Sequence, residues 1–509
     1  MIVLVLSILG LLLRLFFVSR GIPALFASGI VIDDAYYSWC FAREFAHLNP
    51  FQVSPGQYGN GFQPLYVLLC APFFWLESLS QNLPLYLALT ASSICSAATS
   101  LFIYRWARSM MDDLWAVLPA VFWIFSPIAI SNSMNGLETA LNVFLLAALM
   151  AWLPWFMARP KLFGLYLGLL FLSRVDNVFL MPIIFVLALK RGRYQEDLGQ
   201  YFRFIIPSFL TVLAPFCVLC YYFTGFPLPQ SGTALHLQSV LSFTDGAYHY
   251  FHFFKVMCKH YWVFMAPQVL EFLVPSESRF FPVPRLLGLA LLPLIPCLSF
   301  NRARHIFSLC QLSLRIAIVF GIVLLVAYLG YVGGSWFFPR YFHFFLIIGV
   351  ILFAALLNPQ LPAWGKTLVI GCITLYLAAC SIVGISSRLA SPFDMFSSQW
   401  NAFYPVRDLL GQNKKIGAFQ SGYLAYATHG GVLNLDGKIN LETQPYLRNG
   451  TIDDYIVLKK LDYIVEWPIL LDVLMLNHVR QPKLKLVLES GGTGPRVTGI
   501  YRVVPISLP

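Results

Sequence analysis

The chain has 509 residues, of which 58% are hydrophobic and only 11% charged, with a mean hydropathy of +0.71. That is too little polar surface for a water-soluble globule of this length, and it predicts an integral membrane protein. The formal charge of +11 is spread thinly beside apolar runs, the distribution of topology determinants and headgroup contacts; no nucleic-acid surface is indicated, and 10 cysteines lying mostly within apolar runs indicate neither a disulfide framework nor a zinc site.

In chain order, residues 2–19 read as a first membrane span and not as a cleaved leader, because they lack a basic leading segment and carry Arg14 inside the apolar run. An external loop follows over residues 20–63. It contains a helix over 32–46 that opens Ile32-Asp33-Asp34-Ala35-Tyr36-Tyr37. Two adjacent carboxylates beside a bilayer cost on the order of several kcal/mol unless they face water or a polar cavity. Either one caps the helix or one is a proton acceptor, and at adjacent positions they cannot point the same way. The apolar run 64–76 is too short to cross and breaks the charge parity of everything after it, so it is placed as a helix at the interface.

Further spans are predicted at 84–104, 114–131, 139–158, 161–174, 177–190, 203–223, 283–300, 312–332, 341–357 and 366–386, about eleven in all. With these, the clusters Arg105/Arg108, Arg159/Lys161, Lys190/Arg191/Arg193, Arg302/Arg304 and Lys366 fall on the cytoplasmic side. The two short spans that meet at Ser173-Arg174-Val175-Asp176 read as a broken hairpin lining a polar cavity.

The opposite side then collects most of the unusual polar groups. Glu138 begins a span, where it either favours the positive end of the helix dipole or contacts a sugar. Arg174, Arg340 and His343 are candidates for binding phosphate, with snorkelling to headgroups the alternative for the arginines. Asp176 either joins the site or neutralises Arg174. Asn60 and Gln230 sit in Pro/Gly-rich loops, where they orient a sugar hydroxyl or form turns. Tyr58 and Trp336 are the aromatic residues placed near sugar. Crowding on one side favours an enzyme at the interface over a channel or flippase.

Residues 391–509 carry strand-like segments at 415–419, 432–437, 463–466, 484–488 and 499–504 with helical segments between the earlier ones, a small α/β layer. Leu435-Asp436-Gly437 with Asn440 is a turn or an acceptor contact, and the layer is expected to act as an acceptor-facing lid.

These stretches carry a resemblance. Asp33-Asp34-Ala35-Tyr36-Tyr37 with Ala42-Arg43, then Asn60-Gly61-Phe62-Gln63-Pro64-Leu65, Asn135-Gly136-Leu137-Glu138-Thr139, Ser173-Arg174-Val175-Asp176, Phe226-Pro227-Leu228-Pro229-Gln230, and Gly333-Gly334-Ser335-Trp336 with Arg340-Tyr341, taken in order, resemble bacterial GT-C glycosyltransferases of the protein mannosyltransferase and arabinosyltransferase kind. The resemblance implies a polytopic α-helical membrane protein over residues 1–390 with the α/β domain over 391–509. It further implies transfer of a sugar from a polyprenyl-phosphate donor, with Asp33 matching the position of the base better than Asp34. Gln63 stands where a His is common, and Ser335 where an Asp is.

By that resemblance the protein sits in the inner (plasma) membrane with its active site on the periplasmic side, and its acceptor is an envelope glycan, lipid or protein. No cofactor is certain; a divalent cation held between Asp34 and Glu138 is left open. The sequence offers no P-loop or dinucleotide turn, which leaves a lipid-borne donor as the natural choice. The rivals are a transporter or flippase of lipid-linked sugars and a non-catalytic scaffold.

Overall fold

Apolar side chains divide the first helix, Ile2–Val18, into two faces. Ile2, Val5, Leu9, Leu12 and Phe16 are exposed along one side, while Val3, Gly10, Arg14 and Phe17 pack inward. A stripe of large apolar residues turned outward is the pattern of a helix facing lipid. The computed structural model describes residues 1–54, 56–189, 198–243, 312–332, 339–357, 361–475, 484–491, 494 and 496–505. The span expected at 283–300, Gly333 to Trp336, and the basic clusters Lys190/Arg191/Arg193 and Arg302/Arg304 lie outside these residues.

Four described helices are long and apolar enough to cross a membrane: Leu83–Ala107, Thr139–Met157, Phe202–Thr224 and Ala363–Ala390. Shorter apolar helices fall at Ile2–Val18, Pro160–Ser173, Val175–Leu187, Leu312–Tyr328 and Arg340–Ala355. The segment placed at the interface is helical over Pro64–Cys70 and tightens to a 3-10 turn over Ala71–Leu76, leaving Leu68, Trp75 and Leu76 exposed. Cys217 and Cys220 share one helix as a Cys-x-x-Cys pair, and both are free thiols.

The run expected as one span at 114–131 is two helices, Val117–Phe125 and Pro127–Ser133, broken at the extended Ser126. Pro127 has no N–H to give to the carbonyl four residues back, so the chain end of the first helix is left with bare acceptors. Arg14 meets them. Its guanidinium is fully buried and donates to Ile124 O at 3.0 Å, Trp123 O at 3.4 Å and Gly10 O at 3.0 Å. The arginine within the first span is therefore a clamp on a helix break, and the dipole at that helix end favours its charge.

After Ala390 the chain builds a sheet of five strands in the order β4-β3-β5-β7-β6, with β3 Ile416–Ala418, β4 Val432–Asn434, β5 Tyr463–Glu466, β6 Leu484–Gly491 and β7 Gly499–Pro505. Strand β3 pairs parallel with β4 and β5, whereas β7 runs antiparallel to β5 and forms a hairpin with β6. A separate two-stranded ribbon, Gln52–Ser54 with Gln57–Tyr58, lies in the first external loop.

This layer is not free of the helices. Tyr36, Tyr37 and Trp39 of the Asp33–Ala46 helix share one continuous apolar core with Ile416, Ala418, Tyr423 and Val432. A second, smaller core around Phe419, Leu435, Tyr455 and Trp467 fills the far side of the sheet. Arg43 donates to Tyr426 O at 3.2 Å, and Tyr37 donates to Phe419 O at 3.1 Å while accepting from Ser421 N at 3.0 Å. The sequence reading of a lid therefore meets a layer already docked on its helix through buried contacts.

Candidate active site

The adjacent aspartates at the start of the Asp33–Ala46 helix go opposite ways. Asp33 is buried and turns into the C-terminal layer, accepting from Gln399 Nε2 at 2.7 Å, Tyr423 N at 2.7 Å and Gly422 N at 3.0 Å. Burial pushes its carboxyl up to about 7, against the pull of those N–H donors and with some help from Asp34. Asp34 faces a cavity and accepts from Arg340 Nη2 at 2.7 Å. Lys438 and Arg340 hold its carboxyl below the usual range in spite of burial. The position that the family resemblance favours as base is thus engaged in packing, and its neighbour is the one presented to a ligand.

The cavity measures about 350 Å³. One wall is polar, carrying Asp34, Gln63, Glu138, Arg174, Asp176, Arg340 and Lys438; the other carries Val178, Phe179, Leu235, Ala327 and Tyr331. Glu138 reaches it because the preceding turn nests on the aspartate helix. Asn135 Oδ1 accepts from Leu137 N at 2.9 Å, and Gly136 adopts a left-handed φ of 77° at a place where a Cβ would strike Ala35 and the Trp39 ring.

Arg174 sits where the two short helices break, with the extended backbone expected of a residue outside both. Its guanidinium binds Glu138, Asp176 Oδ2 at 2.7 Å and Tyr328 Oη at 2.9 Å. Asp176 therefore does neutralise Arg174, and both line the cavity. The rings of Tyr328 and Tyr341 stack at 4.8 Å, with Arg174 and Arg340 over Tyr341 at 5.2 and 5.3 Å. Gln63 Oε1 is buried without a hydrogen-bond partner among the described residues, an acceptor left open at the cavity wall.

Other sequence-predicted residues stand apart. Asn60 is buried and closes the loop, donating to Thr224 and Leu228 O at 3.1 Å each and accepting from Gln230 N at 3.0 Å. Gln230 turns its amide back to Leu228 O at 3.1 Å. Tyr58 is exposed and stacks on Phe223 at 5.9 Å. His343 is buried against Trp123 and pairs with Asn132 at 3.1 Å, inside the helices and away from the cavity. Trp336 is outside the described residues.

Sequence reasoning missed Lys438. The turn Leu435-Asp436-Gly437 was read as a turn or an acceptor contact; it is a turn, with Lys438 N donating to Asp436 Oδ1 at 2.8 Å, and it throws the Lys438 side chain into the cavity. Its Nζ lies 3.9 Å from Asp34 Oδ1 and 3.6 Å from Asp436 Oδ2, and these two carboxylates raise its pKa against burial. The signal was present in Gly59 and Gly61. A Cβ at either would collide with the backbone carbonyl of Ile439 or Lys438, so the external loop and this turn are built to touch backbone to backbone.

Solved structures share this arrangement. ArnT from Cupriavidus metallidurans in the apo state is similar over 96% of this chain and 97% of its own, at 12% identity and a TM-score of 0.55. An oligosaccharyltransferase from Archaeoglobus fulgidus, solved with Zn and sulfate, is similar over 89% of this chain and 68% of its own, at 13% identity and a TM-score of 0.52. The chain has the GT-C fold. No protein-family model matches the sequence, and no curated protein is similar to it in sequence, so the likeness is one of architecture. The GT-C fold here is a polytopic helical membrane domain with a small sheet near the C-terminus, as the motif order implies.

The Zn in that archaeal structure raises the question of whether this GT-C cavity fits a metal. Its carboxylates are already met by protein cations: Asp34 by Arg340 and Lys438, Glu138 and Asp176 by Arg174. A hard divalent cation needs several oxygen ligands free to close on it. Among the described residues no three His, Cys, Asp or Glu side chains converge as such a set. The residues do not fit a divalent cation between Asp34 and Glu138.

Proposed function

We propose that this protein is a membrane glycosyltransferase that moves a sugar from a polyprenyl-phosphate donor to an acceptor hydroxyl on the non-cytoplasmic face, in an inverting single displacement with Asp34 as general base. The observation that carries it is the Asp34–Arg340 ion pair at the polar wall of a cavity whose other wall is apolar. A lipid phosphate brings both an anion and a hydrocarbon tail, and this cavity offers a matching surface to each. The archaeal oligosaccharyltransferase AglB, solved with an inhibitory peptide and a dolichol-phosphate, supports a lipid-borne donor; it is similar over 90% of this chain and 70% of its own, at 12% identity and a TM-score of 0.52.

Donor binding and base activation are linked in this reading. A phosphate that takes a share of Arg340 withdraws the charge that keeps the Asp34 pKa low, and the freed carboxylate becomes a better proton acceptor. The acceptor hydroxyl gives its proton to Asp34 as its oxygen bonds to the anomeric carbon. The bond from that carbon to the phosphate oxygen breaks, and Arg340, Lys438 and the Arg174 network stabilise the departing phosphate. Gln63 Oε1, the open acceptor, takes a sugar hydroxyl.

The test is transfer in liposomes from polyprenyl-phosphate sugars to envelope extracts, followed by mass spectrometry. Asp34→Asn is expected to lower transfer by about 10²- to 10⁴-fold with an unchanged thermal midpoint. Full transfer by that variant removes Asp34 as base. Movement of donor across the bilayer with no product would favour a flippase.

A further inference from the structure

We propose that Lys438, carried in by the C-terminal layer, is the built-in cation of this cavity and holds the place at which a divalent metal ion would otherwise bridge Asp34 and Asp436. The inference rests on the glycosyltransferase reading for its consequence, a transfer that runs without added metal, but not for its geometry. Three observations carry it.

The ammonium lies between two carboxylates of different parts of the chain, 3.9 Å from Asp34 and 3.6 Å from Asp436, with its side chain only 12% exposed. Take it away and two buried carboxylates remain with the Arg340 guanidinium, which is paired to Asp34 alone. Uncompensated buried charge of that kind recruits a cation or a proton. The charge is also held in place from behind. Gly437 turns with a φ of 76°, Lys438 N is tied to Asp436, and the Lys438 and Ile439 carbonyls press on Gly61 and Gly59. A lysine stem is flexible, but its root here is fixed on both sides. Finally, the neighbouring carboxylates have guanidinium partners, which leaves the Asp34–Asp436 gap as the one place among the described cavity residues where two carboxylates from different elements share a single ammonium.

The experiment uses Mn²⁺ as the probe, with the full chain in nanodiscs and Mn²⁺ binding read by electron paramagnetic resonance without any substrate. The native chain is expected to bind no stoichiometric Mn²⁺ and to transfer equally with and without EDTA. Lys438→Met, which keeps the stem, is expected to bind one Mn²⁺ per chain, to lose transfer by about 100-fold in EDTA and to regain part of it with Mn²⁺. Lys438→Arg keeps a cation and is expected to bind none. One Mn²⁺ on the native chain that disappears in Asp436→Asn overturns the proposal, and so does a Lys438→Met chain with a native thermal midpoint that binds no Mn²⁺. If no preparation transfers sugar, the glycosyltransferase reading fails while the Mn²⁺ results still decide this one.

Discussion

Asp33 and Asp34 differ by one position and by almost everything else. One residue of a helix is 100° of rotation, enough to send Asp34 into the cavity and Asp33 into the docked layer. Because burial lifts the Asp33 carboxyl to about 7, the folded protein holds a proton that the unfolded chain releases near pH 4. The linked stability is full below that unfolded value and is lost as pH rises through about 7; Glu466, lifted by burial to about 8, acts in the same direction. Thermal midpoints measured from pH 5 to 8.5 should therefore fall, and Asp33→Asn should flatten the lower part of that slope. The same change replaces one of the accepting oxygens with a donor facing an N–H, at a cost of about 1–3 kcal/mol in stability. A steep loss of transfer with an unchanged midpoint would instead return Asp33 to the chemistry.

At the scale of elements, the loop 59–61 and the turn 436–439 act as one joint. Asn60 pins the loop to the end of the Phe202–Thr224 helix while the flanking glycines receive the backbone of the turn. Gly61→Ala should push Lys438 away from Asp34, with a stability loss of about 1–3 kcal/mol from overpacking and a larger relative fall in transfer. An Ala variant with native melting and native turnover would show that the joint has slack. The motif was legible in the sequence, but its meaning was not. Glycines beside an asparagine in an external loop read as turn and sugar contact, because nothing local reveals which distant carbonyl will lie against them. Most strands of the C-terminal layer, by contrast, were visible from alternation and turn residues, since strand pattern is a local signal. The break at Arg174 was visible too, from the shortness of the two apolar runs around it. The split at Ser126 was not, because Pro127 sits within a continuous apolar stretch whose length alone fits a span.

For the whole molecule, the continuous core between helices and sheet predicts joint unfolding. Tryptophan fluorescence and far-ultraviolet circular dichroism should melt together, and a chain ended at Ala390 should yield no protease-resistant membrane half, because Tyr36 and Tyr37 would be bared and Asp33 left without its donors. Separate transitions would mean that the layer is an independent module. The one-sided gathering of polar groups could be read from charge and span length. Which of them share a cavity could not, since Asp34, Glu138, Arg174, Arg340 and Lys438 come from five stretches brought together only by packing. The backbone contact of Gly59 and Gly61 with Lys438 and Ile439 also bears on how such proteins can be recombined. A chimera that imports the C-terminal segment of a relative must import that relative's first periplasmic-type loop as well, since each half is moulded to a partner lying hundreds of positions away.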